Sequence, residues 1–155
     1  MQIPIIERRK IEAAILKHVY DVLTETQSKE VAVAVLDAAV SRAAQAFGTA
    51  HREALGATPD LGDLAAILPN WSADGALTIE VLESTADRLD FNVTRCRYAE
   101  TYREMGLGEI GHVLSCNRDR EFCTGYNPNM TLDRTQTIMQ GASHCNFRYR
   151  MEPKP

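Results

Sequence analysis

The chain has 155 residues, of which 45% are hydrophobic and 25% are charged, and its net charge is −4 at pH 7. This length is sufficient for one domain with a buried core, and the acidic balance argues against a nucleic-acid partner. The start, MQIPIIERRK, lacks the apolar core of an export signal, and the longest apolar run, VAVAVLDAAV, is too short to span a bilayer. We therefore expect a cytoplasmic protein without a membrane partner.

The first part of the chain, residues 1–70, is predicted to be helical. Apolar residues recur at helical spacing in residues 5–26 and predict one buried stripe, formed by Ile11, Ile15, Val19 and Val22. Residues 28–55 predict a longer helix with Ser28 as its N-cap. Its alanines permit close helix packing, within the subunit or across a dimer, so we expect a homo-oligomer. A short third helix fits DLGDLAAIL and should end at Pro69.

The remaining part, residues 77–151, alternates between strand and helix patterns. Apolar and polar residues alternate in two short runs separated by STADR, which predicts a hairpin. The predicted elements are strands over 77–81, 89–93, 130–140 and 144–151, and helices over 96–105 and 108–124. The predicted fold class is α+β, with N-terminal helices packed on a four-stranded antiparallel sheet with inserted helices, in a single domain over 1–155.

The stretch RTQTIMQGASHCNFRYR, residues 134–150, carries more reactive side chains than a turn requires. On a regular strand Cys145 and Phe147 share one face, and His144 and Arg148 share the other. The apolar set should face the helices, so Cys145 should point inward and His144 outward. The two serve one site only if a bulge beside Gly141 turns one of them. Otherwise Cys145 is a small buried hydrophobe.

Two arginines of this stretch, Arg134 and Arg148, lie on strands predicted to be adjacent. Together they can hold the carboxylate of a small acidic ligand, although solvated strand positions are the alternative for both. Thr135 lies on the alternate face, where its hydroxyl contacts a ligand or the residue is simply a good strand former.

A second polar cluster lies in SCNRDREFCTGYNP, residues 115–128. In a helix over 116–124, Cys116, Asp119 and Cys123 fall on neighbouring turns. Asp119 would raise the pKa of a nearby thiol, so it is a better general acid or base than thiolate activator. Arg118 and Arg120 would then be solvated charges.

These stretches, together with VTRCRYAE from Val93 onward, resemble the L-2-amino-thiazoline-4-carboxylic acid hydrolases. The resemblance implies hydrolysis of a C–N or C–S bond in a small carboxylated cyclic amidine or amide. Ser143 and Asn146 depart from the family pattern, in which we associate acidic residues with the His-Cys pair. The positions that the resemblance emphasises are Cys96, Cys116, Asp119, Arg134, Thr135, Gly141, His144, Cys145, Phe147 and Arg148.

In this interpretation a thiol attacks the ring carbon or holds the attacking water, while a histidine and a carboxyl group transfer protons. An arginine holds the carboxylate of the substrate. The expected catalytic residues are Cys145, Cys116, His144 and Asp119, and the expected substrate-binding residues are Arg134, Arg148, Thr135 and Phe147.

Two alternatives stay open at this point. No cofactor is expected, because the spacing of the four cysteines matches no zinc motif, but a metal bound by the thiols and His144 would activate water instead. A helix-covered sheet with a C-terminal Cys-x-Phe strand also resembles ligand-binding sensor domains of the vinyl-4-reductase type, which would bind a small molecule without turnover.

Overall fold

A computed structural model describes residues 2–152. Residue 1 and residues 153–155, the two ends of the predicted domain, lie outside the described residues. The helices are α1 (Ile5–Thr26), α2 (Lys29–Leu55), α3 (Leu61–Ile67), α4 (Pro69–Ser72), α5 (Arg97–Glu104) and α6 (Arg118–Tyr126). The strands are β1 (Leu77–Ser84), β2 (Arg88–Cys96), β3 (Met130–Asp133) and β4 (Cys145–Met151). The predicted α+β class is confirmed.

The four strands form one antiparallel sheet in the order β1-β2-β4-β3. The strand predicted over 130–140 is shorter than expected and ends at Asp133. Beyond it, the backbone amides of Thr135 and Gln136 donate to the side-chain oxygen of Asn146, at 3.1 Å each, instead of to a neighbouring strand. The chain then returns to β4 through a turn at Gly141, whose φ of 101° favours glycine.

Helix α2 positions α6. Ser28 caps α2, as predicted, because its hydroxyl accepts a hydrogen bond from the Val31 amide at 3.1 Å. A Cβ atom on Gly48 of α2 would lie 2.1 Å from the carbonyl oxygen of Phe122, and one on Gly125 would lie 2.0 Å from that of Gln45. The backbones of α2 and α6 are therefore in direct contact, which fixes α6 relative to α2.

Within residues 2–152, α2 is also the one helix with the length and apolar composition of a membrane span. Helices in the cores of soluble proteins share these two properties, and 28% of the most apolar window of α2 is buried.

Helix α1 packs with a different side than its periodicity predicts. The predicted buried stripe is wrong, since Ile11 is 61% exposed and Ile15 is 66% exposed. The residues of α1 that are buried are Ile5, Ile6, Arg9 and Ala13. The helix is therefore apolar on its outer side and carries a buried arginine on its inner side.

The inner face of the sheet follows the predicted alternation. Cys145, Phe147 and Tyr149 of β4 are buried, and the ring of Phe147 stacks on that of Phe91 from β2 at a centroid distance of 4.6 Å. The inner face packs towards the helices, and the space between the two layers contains the candidate site.

Candidate functional site

A cavity with two adjoining lobes lies between the sheet and the helices. The lobes share six lining residues, which are Arg9, Trp71, Leu77, Arg118, Asp119 and Phe147. The first lobe is lined mainly by apolar and aromatic side chains, including Phe47, Phe91 and Phe122. Its volume is about 50 Å³, and that of the second lobe is about 70 Å³. An apolar cavity of about 150 Å³ accommodates benzene, so the two lobes together suit a molecule with a single small ring.

An ion pair between Asp119 and Arg134 stands at the wall of this cavity. Asp119 lies in the first turn of α6, and Arg134 directly follows β3. The guanidinium of Arg134 donates to Oδ2 of Asp119 at 2.7 Å and to the Cys116 carbonyl at 2.9 Å, and it lies 4.8 Å from the ring centroid of Phe147. These contacts hold Arg134 in place. The other carboxylate oxygen, Oδ1 of Asp119, has no hydrogen-bond partner in residues 2–152.

The surroundings of this pair favour proton transfer by Asp119. Burial raises the pKa of the Asp119 carboxyl above its ordinary range, although the attraction of Arg134 opposes the shift. Burial also opposes the charge on Arg134, but Asp119 outweighs it and raises the pKa of the guanidinium. Although 28% of the Asp119 side chain is exposed, the residue lines both lobes, so its exposed part faces the cavity. Arg134 therefore stays charged beside a carboxyl group that takes up a proton more readily than usual.

Three thiols line the second lobe, those of Cys96, Cys116 and Cys145. Burial raises the pKa of Cys96 to about 11 and that of Cys116, where Asp119 adds to the effect, to about 12. Burial also raises the pKa of Cys145, whose sulfur accepts a hydrogen bond from the Ile138 amide at 3.2 Å. All three thiols are thus protonated at neutral pH, which argues against a resting thiolate nucleophile.

A second charged group enters the cavity from α1 and α6. Arg9 donates to both carboxylate oxygens of Glu12 at 3.1 Å, and Arg118 donates to Oε2 of the same carboxylate at 3.1 Å. The prediction that Arg118 is a solvated charge is wrong, since it is 9% exposed. Sequence reasoning missed both arginines, because it assigned Arg118 to the solvent and did not single out Arg9. The i, i+3 spacing of Arg9 and Glu12 between buried Ile6 and Ala13 was the available signal.

The structure brings five of the eight predicted site residues to the cavity and leaves three outside it. Those that line it are Cys116, Asp119, Arg134, Cys145 and Phe147. The prediction from strand alternation is therefore confirmed, and no bulge beside Gly141 turns His144 towards Cys145.

The three residues outside the cavity lie on the other side of the sheet or at its end. The Nδ1 atom of His144 is 2.9 Å from the hydroxyl of Ser143. Arg148 donates to the carbonyls of Phe91 and Phe147 and, at 3.1 Å, to the side chain of Asn92. Thr135 is exposed, and its hydroxyl accepts from the side chain of Asn146 at 2.7 Å. The prediction placed these three residues in one site with Cys145. The structure separates them from it, because neighbouring side chains of β4 point to opposite faces of the sheet.

Across residues 2–152, no group of three or more His, Cys, Asp or Glu side chains is arranged to hold a metal ion. The three thiols of the second lobe therefore do not form such a group with His144 or Asp119.

The fold and the cavity define an α+β domain that encloses a small, partly charged chamber between its sheet and its helices. The chain belongs to the L-2-amino-thiazoline-4-carboxylic acid hydrolase family, whose pattern matches residues 8–149. The resemblance seen in the sequence is thus confirmed over most of the chain. No curated protein matches the sequence.

Two solved structures share this fold at low sequence identity. The phenol-responsive sensory domain of the transcription activator PoxR, solved with phenol, has a TM-score of 0.53 and 12% identity, over 92% of this chain and 74% of that one. A trafficking protein particle complex subunit 3 from Naegleria fowleri, covalently bound to palmitic acid, has a TM-score of 0.55 and 8% identity, over 94% of this chain and 96% of that one. At these identities the likeness concerns the fold alone.

Proposed function

We propose that this protein hydrolyses a small carboxylated cyclic amidine or amide, of the 2-aminothiazoline-4-carboxylate type, inside the cavity. The observation that carries the proposal is the Asp119–Arg134 pair. Arg134 holds one carboxylate oxygen at 2.7 Å, while the other oxygen has no partner in the described residues and the carboxyl lines both lobes. Membership of a family named for such a hydrolase supports the choice of reaction.

In the proposed reaction a water molecule attacks the electron-poor ring carbon, and Asp119 takes one proton from it. A carbon–oxygen bond forms, and the bond from that carbon to a ring nitrogen or sulfur breaks. Asp119 then gives the proton to the departing heteroatom, so the carboxyl returns to its starting state. A raised pKa suits both steps, since the group must accept and release a proton near its working pH.

This proposal gives the cavity thiols a different role from that expected from the sequence. Cys116 and Cys145 are protonated, and His144 does not line the cavity, so it cannot activate them directly. We propose that the thiols shape the second lobe and that water is the nucleophile. A route in which Asp119 deprotonates Cys116 is disfavoured because the carboxylate raises the pKa of that thiol.

A substrate screen with a pH profile tests the proposal. The panel consists of 2-aminothiazoline-4-carboxylate and five- and six-membered cyclic amidines, hydantoins and lactams that carry a carboxylate. We expect turnover of at least one, with kcat/KM falling at low pH through a pKa above the value of about 3.9 for free aspartate. An acid limb at or below that value would exclude Asp119 as the proton carrier.

A non-catalytic binding function is the second candidate, and the aromatic lining of the first lobe favours it. The side chains of Phe47, Trp71, Phe91 and Phe122 surround that lobe, and the solved PoxR domain of the same fold is described as phenol-responsive. In this case the protein would bind a small ring compound without changing it. Tight binding of one panel compound by folded protein, with no turnover of any, would favour this function over hydrolysis.

A further inference from the structure

The cavity carries more positive than negative charge. Three arginines line it, and Asp119 balances Arg134. Arg9 and Arg118 share the single carboxylate of Glu12. One guanidinium charge is therefore left without a carboxylate in a site where Arg9 is 7% and Arg118 is 9% exposed. An unbalanced buried cation is costly, and an anionic ligand would reduce that cost.

The two arginines also retain donors for such a ligand. Arg118 uses Nε on the Leu114 carbonyl at 2.7 Å and Nη2 on Glu12, and its Nη1 has no partner in residues 2–152. Arg9 donates to Glu12 through Nη1, and its Nη2 and Nε have no hydrogen-bond partner in residues 2–152. No side-chain nitrogen in the described part of the chain is both fully buried and without a partner. These donors are therefore reachable, and both residues line both lobes.

We propose that Arg9 and Arg118 form the subsite that binds the carboxylate of the ligand. This inference rests on the proposed function for the presence of a carboxylate. Planar guanidinium groups suit it, because they donate two parallel hydrogen bonds to a carboxylate. Arg134 is already held by Asp119, the Cys116 carbonyl and Phe147, so it positions the proton carrier and leaves the anchoring to the other two.

Calorimetric binding of an acid and its neutral analogue tests this subsite. The probes are 2-aminothiazoline-4-carboxylate and the corresponding carboxamide, which differ in the charge of one group. We expect the wild-type protein to prefer the acid, and Arg9→Gln or Arg118→Gln to lower that preference by about 10- to 100-fold. Glu12→Gln should raise it, because it removes the competing carboxylate. Arg8→Gln is the matched control, since Arg8 neighbours Arg9 but does not line the cavity.

The opposite signs separate binding from a merely structural effect, because loss of packing would lower both affinities in all three variants. If Arg118→Gln does not fold, Arg9→Gln and Glu12→Gln still decide the matter. An unchanged acid preference in these two would overturn the subsite, even if turnover occurs. A preference that behaves as expected without any turnover would leave the subsite standing and would refute the hydrolase proposal.

The outer side of α2 carries a second, independent inference. Between residues 31 and 50 its exposed positions are small or apolar, apart from one arginine. They are Val31, Ala34, Val35, Ala38, Ala39, Arg42, Ala43, Ala46 and Ala50. Solvent-facing helix surfaces normally carry charged and polar residues, so this face, together with exposed Ile11 and Ile15 of α1, has the composition of a covered surface.

We infer that a second copy of the chain covers this face, with the two α2 helices antiparallel about a two-fold axis that passes between exposed Ala39 and Arg42. This symmetry packs larger side chains against smaller ones. Val31 then faces Ala50 of the partner subunit, and Val35 faces Ala46 of the partner subunit. It also brings Glu30, near the start of α2, close to Arg52 of the partner subunit, near its end. A two-fold interface must be complementary to itself in this way.

Light scattering of designed variants tests the interface. The wild-type protein should have twice the chain mass of 17.2 kDa at micromolar concentration. Val35→Glu should yield a folded monomer, and adding Ala46→Lys should restore the dimer by pairing the new charges across the axis. A monomeric wild type would refute the inference, as would a double variant that stays monomeric. Co-sedimentation of the wild type with lipid vesicles, lost in Val35→Glu, would instead assign the face to a membrane.

Discussion

Two aspartate–arginine pairs lie on opposite sides of the same sheet and have opposite properties. On the outer side Asp90 of β2 accepts hydrogen bonds from Arg150 through both carboxylate oxygens and lies 3.2 Å from Arg88. On the cavity side Asp119 accepts from Arg134 alone. The pKa of Asp90 is lowered, since its arginines outweigh burial, whereas burial raises the pKa of Asp119.

The difference shows that pairing with arginine does not by itself decide the protonation of a carboxyl group. The outer aspartate is only 8% exposed, but Arg150 and Arg88 lie within 3.3 Å of its carboxylate oxygens, so its charged form is favoured. The inner aspartate is hydrogen-bonded to one arginine, and burial outweighs the attraction of that arginine and of the more distant Arg9 and Arg118, so its neutral form is favoured more than usual. The outer pair is therefore suited to stabilising the sheet and the inner pair to transferring protons.

The largest expected effect comes from Asp119→Asn. This change keeps the shape of the side chain but removes the proton carrier, so kcat/KM should fall by about 10²- to 10⁴-fold. Steady-state kinetics with the best substrate of the panel provides the measurement. Asp90→Asn is the matched control on the other side of the sheet. An equal loss of kcat/KM in both variants would contradict the assignment of proton transfer to the inner pair alone.

The outer pair should appear in the stability of the protein rather than in its kinetics. Asp90→Asn should lower the free energy of unfolding by about 1 kcal/mol near neutral pH, a value that allows for solvent screening of Arg150. A lowered pKa stabilises the folded state above the unfolded value of about 3.9, and this stabilisation is lost as pH falls through the folded pKa. Urea unfolding at several pH values should therefore show the difference between variant and wild type shrinking below about pH 4. A difference that is constant with pH would contradict this assignment.

The cavity thiols should contribute less to turnover. Because Cys116 and Cys145 are protonated at neutral pH, Cys116→Ala and Cys145→Ala should change kcat by less than about threefold, a small effect beside the loss of a general base. Thermal unfolding would confirm that both variants are folded. A folded variant whose kcat falls by about 10²-fold or more would instead support the mechanism in which a thiol is the nucleophile.

The smallest expected effect belongs to His144→Ala. His144 does not line the cavity, and its ring contacts Ser143 and Gln136 at the sheet end. Both kcat and KM should therefore stay at their wild-type values. A large loss of kcat would place the chemistry on the outer side of the sheet.

The sequence was sufficient for the elements that a local pattern determines. The alternation of β4 correctly directed Cys145 inward and His144 outward, and the capping preference of Ser28 located the start of α2. The inner side of α1 was not predictable in the same way, because the helix has apolar residues on two sides. Which side packs depends on distant elements, since the buried side of α1 shares a core cluster with Leu36 of α2 and with Tyr98 and Tyr102 of α5.

The candidate site was predictable only in part, for a related reason. Asp119, Arg134 and the two thiols lie in the stretches on which the family resemblance was recognised, whereas Arg9 lies far from those stretches in the chain. The same pattern also emphasised His144 and Arg148, which the geometry of β4 turns away from the cavity. A sequence motif identifies the segment that contributes to a site, but the direction of each side chain from the sheet determines which of its residues line the same cavity.

A direct titration of the two carboxyl groups tests the central claim, which is that the two sides of the sheet shift their aspartates in opposite directions. The ¹³C carboxyl resonances of labelled protein, assigned with Asp119→Asn and Asp90→Asn, would report both groups in one sample. We expect Asp119 to titrate above, and Asp90 below, the value of about 3.9 for free aspartate. An Asp119 that titrates at or below that value would contradict its role as the proton carrier of the cavity.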